Sequence, residues 1–365
     1  MKLVFVISND PKYDQRMRRI CHSLQAEGYE ITLMGTNLRS NNKPSSASYR
    51  QVQLNCFFRK GKLFYAEFHF RAFFRLMFLS FDAVCAVDLD AALPSLMASR
   101  LRNKQRIYDA HELFCELPEI IARPGIYKAW KWLERRCLPR FRHGYTVSDS
   151  ISAEYNRLYG HRYITIRNIS LLEDRPAGTN PIGQAYILYQ GALNEGRGIE
   201  FLLPAMQYVP LPLVICGEGN FSAKARRIVQ ELNLQDKVLF RGMIEPSELY
   251  PYTHHATIGL NLGDGSGLNN YLSLNNKLFD YIHAGLPQVM MDFPEFRKVN
   301  EQFEVAVLVK DLQVQAIAEA INGLLDNKEH YHRLKSNCNQ ARFVLNWQEE
   351  SKKLVEFYNQ LFTKR

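Results

Sequence analysis

Short apolar runs alternate along the chain with stretches whose apolar residues return every three to four positions, the rhythm of strands and helices taking turns. In the first half these runs predict strands at Leu3–Ile7, Glu30–Met34, Ala83–Val87, Arg106–Asp109, Tyr145–Val147 and Tyr163–Ile166, with helices between most of them. Residues 171–184, LLEDRPAGTNPIGQ, break the rhythm with two prolines and two glycines and are read as a linker. The rhythm then resumes, with strands at Tyr186–Tyr189, Leu213–Cys216, Val238–Phe240, Thr257–Asn261, Gln288–Met291 and Ala306–Val309. Such alternation predicts parallel sheets, hence an α/β fold of two doubly wound, Rossmann-like domains facing across a cleft. The expected division is 1–170, the linker 171–184, a second domain at 185–344 and a closing helix in 345–365. The last carries Trp347, Leu354, Phe357, Tyr358 and Phe362 on one face and is expected to return to the first domain. Ligands of such sheets bind beyond the carboxyl ends of the strands, so chemistry is expected in the loops after Tyr189, Cys216, Phe240 and Asn261.

Composition narrows the class. At 365 residues the chain exceeds one hydrophobic core, and 46% hydrophobic with 23% charged residues excludes disorder. No apolar run reaches the roughly 18–20 residues that span a bilayer, and MKLVFVISND is too short in apolar residues for a signal-peptide core. Seven cysteines form no CxxC pair, which fits a reducing cytoplasm. A net charge of +9 favours anionic partners, whether nucleotides, lipid head groups or nucleic acid. No recognition motif accompanies the charge, so nucleic acid is not expected as a partner. Zinc-type Cys/His spacing, a Walker-type phosphate loop and a nucleophile elbow are all missing from the sequence.

The segment with the most chemistry is SLNNKLFDYIHAGLP, residues 273–287. Asn275 or Asn276 can cap a helix, Leu278, Phe279 and Ile282 give it an inward face, and Gly285 with Pro287 ends it. Lys277 then lies in the first turn, where a cation adds to the positive end of the helix and costs stability unless an anion binds. Asp280, three residues on along the same face, is suited to accept from two neighbouring hydroxyls of a ribose. The competing reading is an ordinary surface Lys–Asp pair.

With YQGALNEGRGIEFLLPA (189–205), CGEGN (216–220), FRG (240–242) and YDAHELF (108–114) in the same order, the chain resembles the retaining, two-domain GT-B glycosyltransferases of family 4. The resemblance runs along nearly the whole chain. It implies a first, acceptor-side domain and a second, donor-binding domain that takes a UDP- or GDP-linked sugar, with no cofactor and no metal. Gly191, Arg197, Gly217, Glu218, Gly242, Asn276, Lys277 and Asp280 would bind the donor. Arg197 and Lys277 would hold successive phosphates and neutralise charge on the leaving nucleotide. His111 would face the donor sugar near the reacting carbon. Asp14 and Arg16 would orient the acceptor. Two positions depart from the family pattern: Leu272 where many members carry a second acidic residue, and Ala192 where many carry an arginine. Backbone amides around 273–275 or the Asp264 loop would then contact the transferred sugar. The DLD at 88–90 is read as a loop without metal rather than a metal-binding DxD.

The expected activity is transfer of a sugar to a glycan or lipid-linked glycan in cell-envelope polysaccharide or lipopolysaccharide synthesis. Alternatives are a nucleotide-sugar 2-epimerase of the same architecture, or a donor-binding protein without catalysis. Residues 57–81, FFRKGKLFYAEFHFRAFFRLMFLSF, combine nine phenylalanines with five lysines or arginines, and 126–143 repeat the theme. Both are candidates for contact with an anionic membrane at the inner face of the plasma membrane, against the alternative of core helices with snorkelling cations.

Overall fold

The computed structural model describes residues 1–37 and 47–363. Its residues group into two compact units, Met1–Asn168 with Gly267–Asn269 and the chain from Glu349, and Ile169–Ser266 with Asn270–Gln348. Both are parallel-sheet, Rossmann-like α/β units.

In the first, β1 (Lys2–Val6), β2 (Glu30–Thr36), β3 (Arg50–Leu54), β4 (Ala83–Val87), β5 (Gln105–Ala110), β6 (His143–Thr146) and β7 (Ile164–Thr165) form a wholly parallel sheet ordered β3-β2-β1-β4-β5-β6-β7. The central strand β4, AVCAV, is buried at every position, as a strand covered by helices on both faces must be. The sequence reading missed β3. Its residues RQVQL alternate polar and apolar, and only Val52 and Leu54 are buried, because the strand pairs on one side alone at the sheet edge. The Trp347–Thr363 helix packs on this unit, with Tyr358 against Phe5, Tyr29 and Tyr145 at centroid distances of 6.2, 6.1 and 6.3 Å.

In the second unit, β8 (Ile187–Gln190), β9 (Leu213–Cys216), β10 (Val238–Gly242), β11 (Ile258–Asn261), β12 (Gln288–Met291) and β13 (Ala306–Val309) form a parallel sheet ordered β10-β9-β8-β11-β12-β13. Residues 166–186, between β7 and β8, carry neither helix nor strand. Strand order reverses between β1 and β4 in one sheet and between β8 and β11 in the other. At such a reversal the loops on either side diverge and leave a crevice at the carboxyl edge. All seven cysteines are free thiols, six of them buried. None of the described helices is long and apolar enough to cross a membrane.

Candidate functional site

In the second unit the site is built around a tyrosine that the sequence reading left out. The Tyr281 hydroxyl shares its one proton between the carbonyls of Leu188 (3.4 Å) and Leu260 (3.3 Å) and accepts from the Gln190 amide (3.2 Å), so it joins β8 to β11 where their order reverses. Gly259 makes room for it: a Cβ there would lie 2.6 Å from the Tyr281 ring. The ring fixes the Asn276–His283 helix against the sheet, together with buried Leu278, Phe279 and Ile282. Asn275 is the cap, its side-chain oxygen accepting from Leu278 N at 3.2 Å, and its amide is paired with that of Asn261. Asn276 is therefore the first helical residue, with an exposed side chain. Gly285, at φ +67°, ends the helix in the left-handed conformation a C-terminal cap favours.

Lys277, in the first turn, reaches back over the Tyr189 ring with Nζ 4.0 Å from its centroid. Gly191 lies beside it: a Cβ at 191 would stand 3.6 Å from Lys277 Cε and 3.7 Å from Nζ. Burial, and then the Arg197 cation, push the Lys277 ammonium down to about 7. Among the described residues neither Lys277 nor Arg197 forms an ion pair. Lys277 thus stands beside the Gly191 backbone at the carboxyl edge of β8, within the electrostatic reach of Arg197, and neither cation has an ion-pair partner among the described residues. The electrostatic cost of that arrangement is recovered when an anion enters.

The glycines divide into two roles. Gly191, at φ +124°, borders the cationic pocket. Gly217 and Gly219 instead serve the approach of one loop to another: a Cβ on Gly217 would sit 1.9 Å from Gly191 O, and one on Gly219 2.3 Å from Leu193 O. The two loops are laced together by Gly191 N to Cys216 O (3.0 Å), Leu193 N to Glu218 O (3.2 Å) and Phe221 N to Leu193 O (2.9 Å). Gly217, expected among the donor-binding residues, thus clears space for Gly191, and Gly219 for Leu193. Glu218 accepts from Arg226 at 2.6 Å, and Gly242 follows a register shift in β10 at φ +69°. Asp280 accepts from Gln190 Nε2 (3.1 Å) and Ser170 Oγ (3.2 Å), while Gln190 in turn accepts from Thr253 Oγ1 (2.8 Å). Its carboxylate therefore braces β8 through Gln190. Leu272 ends the Leu268–Leu272 helix. Asp264 is held against the Gly191 loop instead, its amide donating to Gly196 O (3.0 Å) and its Oδ1 accepting from Ser266 N (2.7 Å).

In the first unit His111 follows β5 and takes part in a chain of charges. Its amide donates to Asp88 Oδ1 (2.8 Å), its Nδ1 lies 3.5 Å from Asp88 Oδ2, and its Nε2 lies 3.2 Å from Asp109 Oδ2. Burial opposes charging of the ring, but Asp109 and then Asp88 outweigh it and raise the imidazole to about 9. Nε2 is hydrogen-bonded to Asp109 and Nδ1 lies at ion-pair distance from Asp88, a setting that favours the charged ring over a base with a free lone pair. Asp109 is completely buried and pairs with Arg16 at 2.9 Å; burial alone would raise its carboxyl, yet Arg16 and His111 bring it below its usual range.

The expected acceptor contact of Arg16 is corrected here. Only 4% exposed, it spends its guanidinium on Asp109 and the Ile166 carbonyl (3.3 Å). Asp14 caps the Gln15–Ala26 helix through Met17 N. Asp88 has φ +59°, a conformation that non-glycine residues rarely hold, and burial pushes its carboxyl up to about 7. Asp90 turns to Ser8, so the two carboxylates of the DLD serve different partners.

Two family descriptions match this chain: Glycosyltransferase Family 4 over residues 15–169 and Glycosyl transferases group 1 over residues 184–327. The chain belongs to the GT-B glycosyltransferases of this family. A curated relative, O-antigen chain mannosyltransferase C of Escherichia coli, is 26% identical over 160 residues, 43% of this chain and 41% of that protein. The chain thus aligns with about two fifths of that relative's length. Among solved structures, sucrose-phosphate synthase from Thermosynechococcus elongatus superposes over 100% of both chains with a TM-score of 0.82 at 18% identity. HepE from Anabaena, solved in complex with UDP, does so over 100% of both chains with a TM-score of 0.73 at 12% identity.

In this glycosyltransferase, sequence reasoning missed Tyr281, Gln190, Asp88 and Asp109. Gly259 inside an apolar strand was the only signal for Tyr281, since glycine in a strand marks a close approach. Nothing in sequence links Asp88, the Asp109–His111 pair and Arg16, which the ends of β4 and β5 and the Gln15–Ala26 helix bring together.

Proposed function

We propose that this glycosyltransferase moves a sugar, with retention, from a UDP- or GDP-linked donor to a glycan or lipid-linked glycan of the cell envelope, at the cytoplasmic face. The supporting observation is the pair of uncompensated cations, Arg197 and Lys277, beside the Gly191 loop. A diphosphate supplies the missing counter-charge. In the step, the bond from the anomeric carbon to the phosphate oxygen breaks and a bond to the acceptor oxygen forms on the same face. The acceptor proton passes to the departing phosphate oxygen. Negative charge grows on the nucleotide, where fixed cations stabilise the transition state more than the ground state. With alanine at 192, this work rests on Arg197 and Lys277. His111 adds a fixed positive edge on the first unit, and the Asp264 loop is the substitute for the acid missing at Leu272. The relative named for mannose transfer in O-antigen supports the envelope reading, and the UDP-bound structure supports a nucleotide donor.

The test is hydrolysis of UDP-, GDP- and ADP-sugars, with Lys277→Ala and Asp280→Ala alongside. Full activity in both variants overturns the site assignment. Product analysis for an altered configuration at C2 of the sugar separates transfer from epimerisation.

A further inference from the structure

The Gly61–Phe78 helix carries more apolar surface than the core uses. Phe64, Phe68, Ala72 and Leu76 recur every four residues and are buried against the first unit. A second stripe, Leu63, Phe70, Phe74 and Phe78, is 60, 64, 45 and 85% exposed. The Phe70 and Phe74 rings touch with centroids 4.5 Å apart, joining two successive turns of the stripe. Met97 and Leu101 add exposed apolar groups on the neighbouring Ala92–Leu101 helix. Arg102 fastens that helix to this one through the carbonyls of Leu76 and Leu79.

Charge selects the occupant of this face. Residues 57–81 hold five lysines or arginines, Arg59, Lys60, Lys62, Arg71 and Arg75, against one acid, Glu67, a net of +4 (5 − 1). Glu67 lies within the stripe, but its carboxylate is spent internally on Arg71 (2.7 Å) and on the amides of Phe57 and Phe58 (2.8–2.9 Å). That contact also pins exposed Phe57 and Phe58 beside the stripe. A second copy of the chain would bring the same cations face to face, whereas an anionic lipid surface accepts both the phenyl rings and the cations. The Pro124–Cys137 helix, by contrast, spends much of its aromatic content on packing, with Trp130 against Tyr65 and Phe114 at 4.9 Å each.

We propose that this face, Phe57, Phe58, Leu63, Phe70, Phe74 and Phe78 rimmed by Arg59, Lys60, Lys62 and Arg75, docks the protein on an anionic lipid bilayer. The rings enter the boundary between head groups and acyl chains, and the cations lie at head-group level. Docking is read without donor or acceptor, so it stands or falls independently of the proposed transfer reaction.

The experiment is co-sedimentation of the full chain with vesicles of phosphatidylcholine alone or mixed with phosphatidylglycerol, at low and high salt. Wild type should bind the mixed vesicles and be released by salt. Lys60→Gln, Lys62→Gln and Arg75→Gln together should weaken binding on the order of a hundredfold, at about 1 kcal/mol per cation near the surface. Phe70→Ser with Phe74→Ser should weaken it at least tenfold, with unfolding midpoint unchanged; the single Phe78→Ser serves if the pair unfolds. Binding that ignores these substitutions overturns the proposal. So does a wild type that leaves vesicles in solution but self-associates through the same phenylalanines.

Discussion

The two units handle positive charge in opposite ways. In the first, Arg16 and His111 are matched by Asp109 and Asp88 at 2.9–3.5 Å, so each of these two cations has its carboxylate. In the second, neither Lys277 nor Arg197 forms an ion pair among the described residues, and burial together with the Arg197 charge pushes the Lys277 ammonium down to about 7. The first arrangement is complete within the chain and fixes the position of a ring. The second lacks a counter-ion among the described residues, which is the place our proposal gives to the donor diphosphate. Removing a charge should therefore harm folding in one unit and ligand handling in the other.

The largest effect is expected from Arg16→Met. It takes from the buried Asp109 the nearer of its two cations, Arg16 at 2.9 Å against His111 at 3.2 Å, a change that costs about 3–5 kcal/mol. Chemical denaturation measures it, and a variant as stable as wild type breaks the comparison from the first unit's side. Lys277→Ala should instead leave stability equal or higher, because an uncompensated cation is removed. Donor turnover should fall about 10²–10³-fold, the usual loss for one group that stabilises transition-state charge. A Lys277→Ala enzyme that unfolds easily yet turns over normally reverses the argument.

Next comes the pH dependence of nucleotide binding. The free protein's Lys277 titrates near 7, below its ordinary 10.5, and an anion raises it, so the complex retains a proton that the free protein sheds. UDP affinity should then weaken as pH rises above 7, by up to about tenfold per unit. Calorimetry should show a flat profile in Lys277→Met; an equal slope in both proteins assigns the titration elsewhere. For folding the sign is opposite. The unfolded chain holds more protons between 7 and 10.5, so this lysine makes the ligand-free fold more stable as pH rises through that window.

The smallest effect is spectroscopic. His111 should remain an imidazolium until about pH 9 in NMR titration, and Asp88→Asn should move its midpoint down. Its folded value lies above the ordinary 6.5, so its stabilisation is full below 6.5 and is lost as pH rises through 9. A midpoint near 6.5 in wild type denies the ring its fixed charge.

Much of the fold was legible because hydrophobic period reports which residues are inside. Ala83–Val87, Leu213–Cys216, Gln288–Met291 and Ala306–Val309 are strands with the predicted bounds. Arg50–Leu54 escaped because an edge strand pairs on one side and can stay largely polar. At the donor side, Lys277 and Gly191 stood out as a cation in a first helical turn and a glycine after a strand. That a Cβ at 191 would stand only 3.6 Å from Lys277 Cε was not readable, since the two lie 86 positions apart (277 − 191). Arg16 shows the opposite failure: beside Asp14 in a polar stretch it reads as a surface residue, yet the fold inserts it beneath β5.

Sequence alone determined the two parallel-sheet units and the residue types able to meet a nucleotide-sugar, because apolar period and side-chain chemistry are local properties. It also determined that residues 57–81 are basic and aromatic. Only the tertiary structure decided which charges are matched and which are left over, and which phenylalanines the core takes. Those outcomes depend on distances between strand ends and helix faces far apart in the chain, and burial then sets what each charge costs.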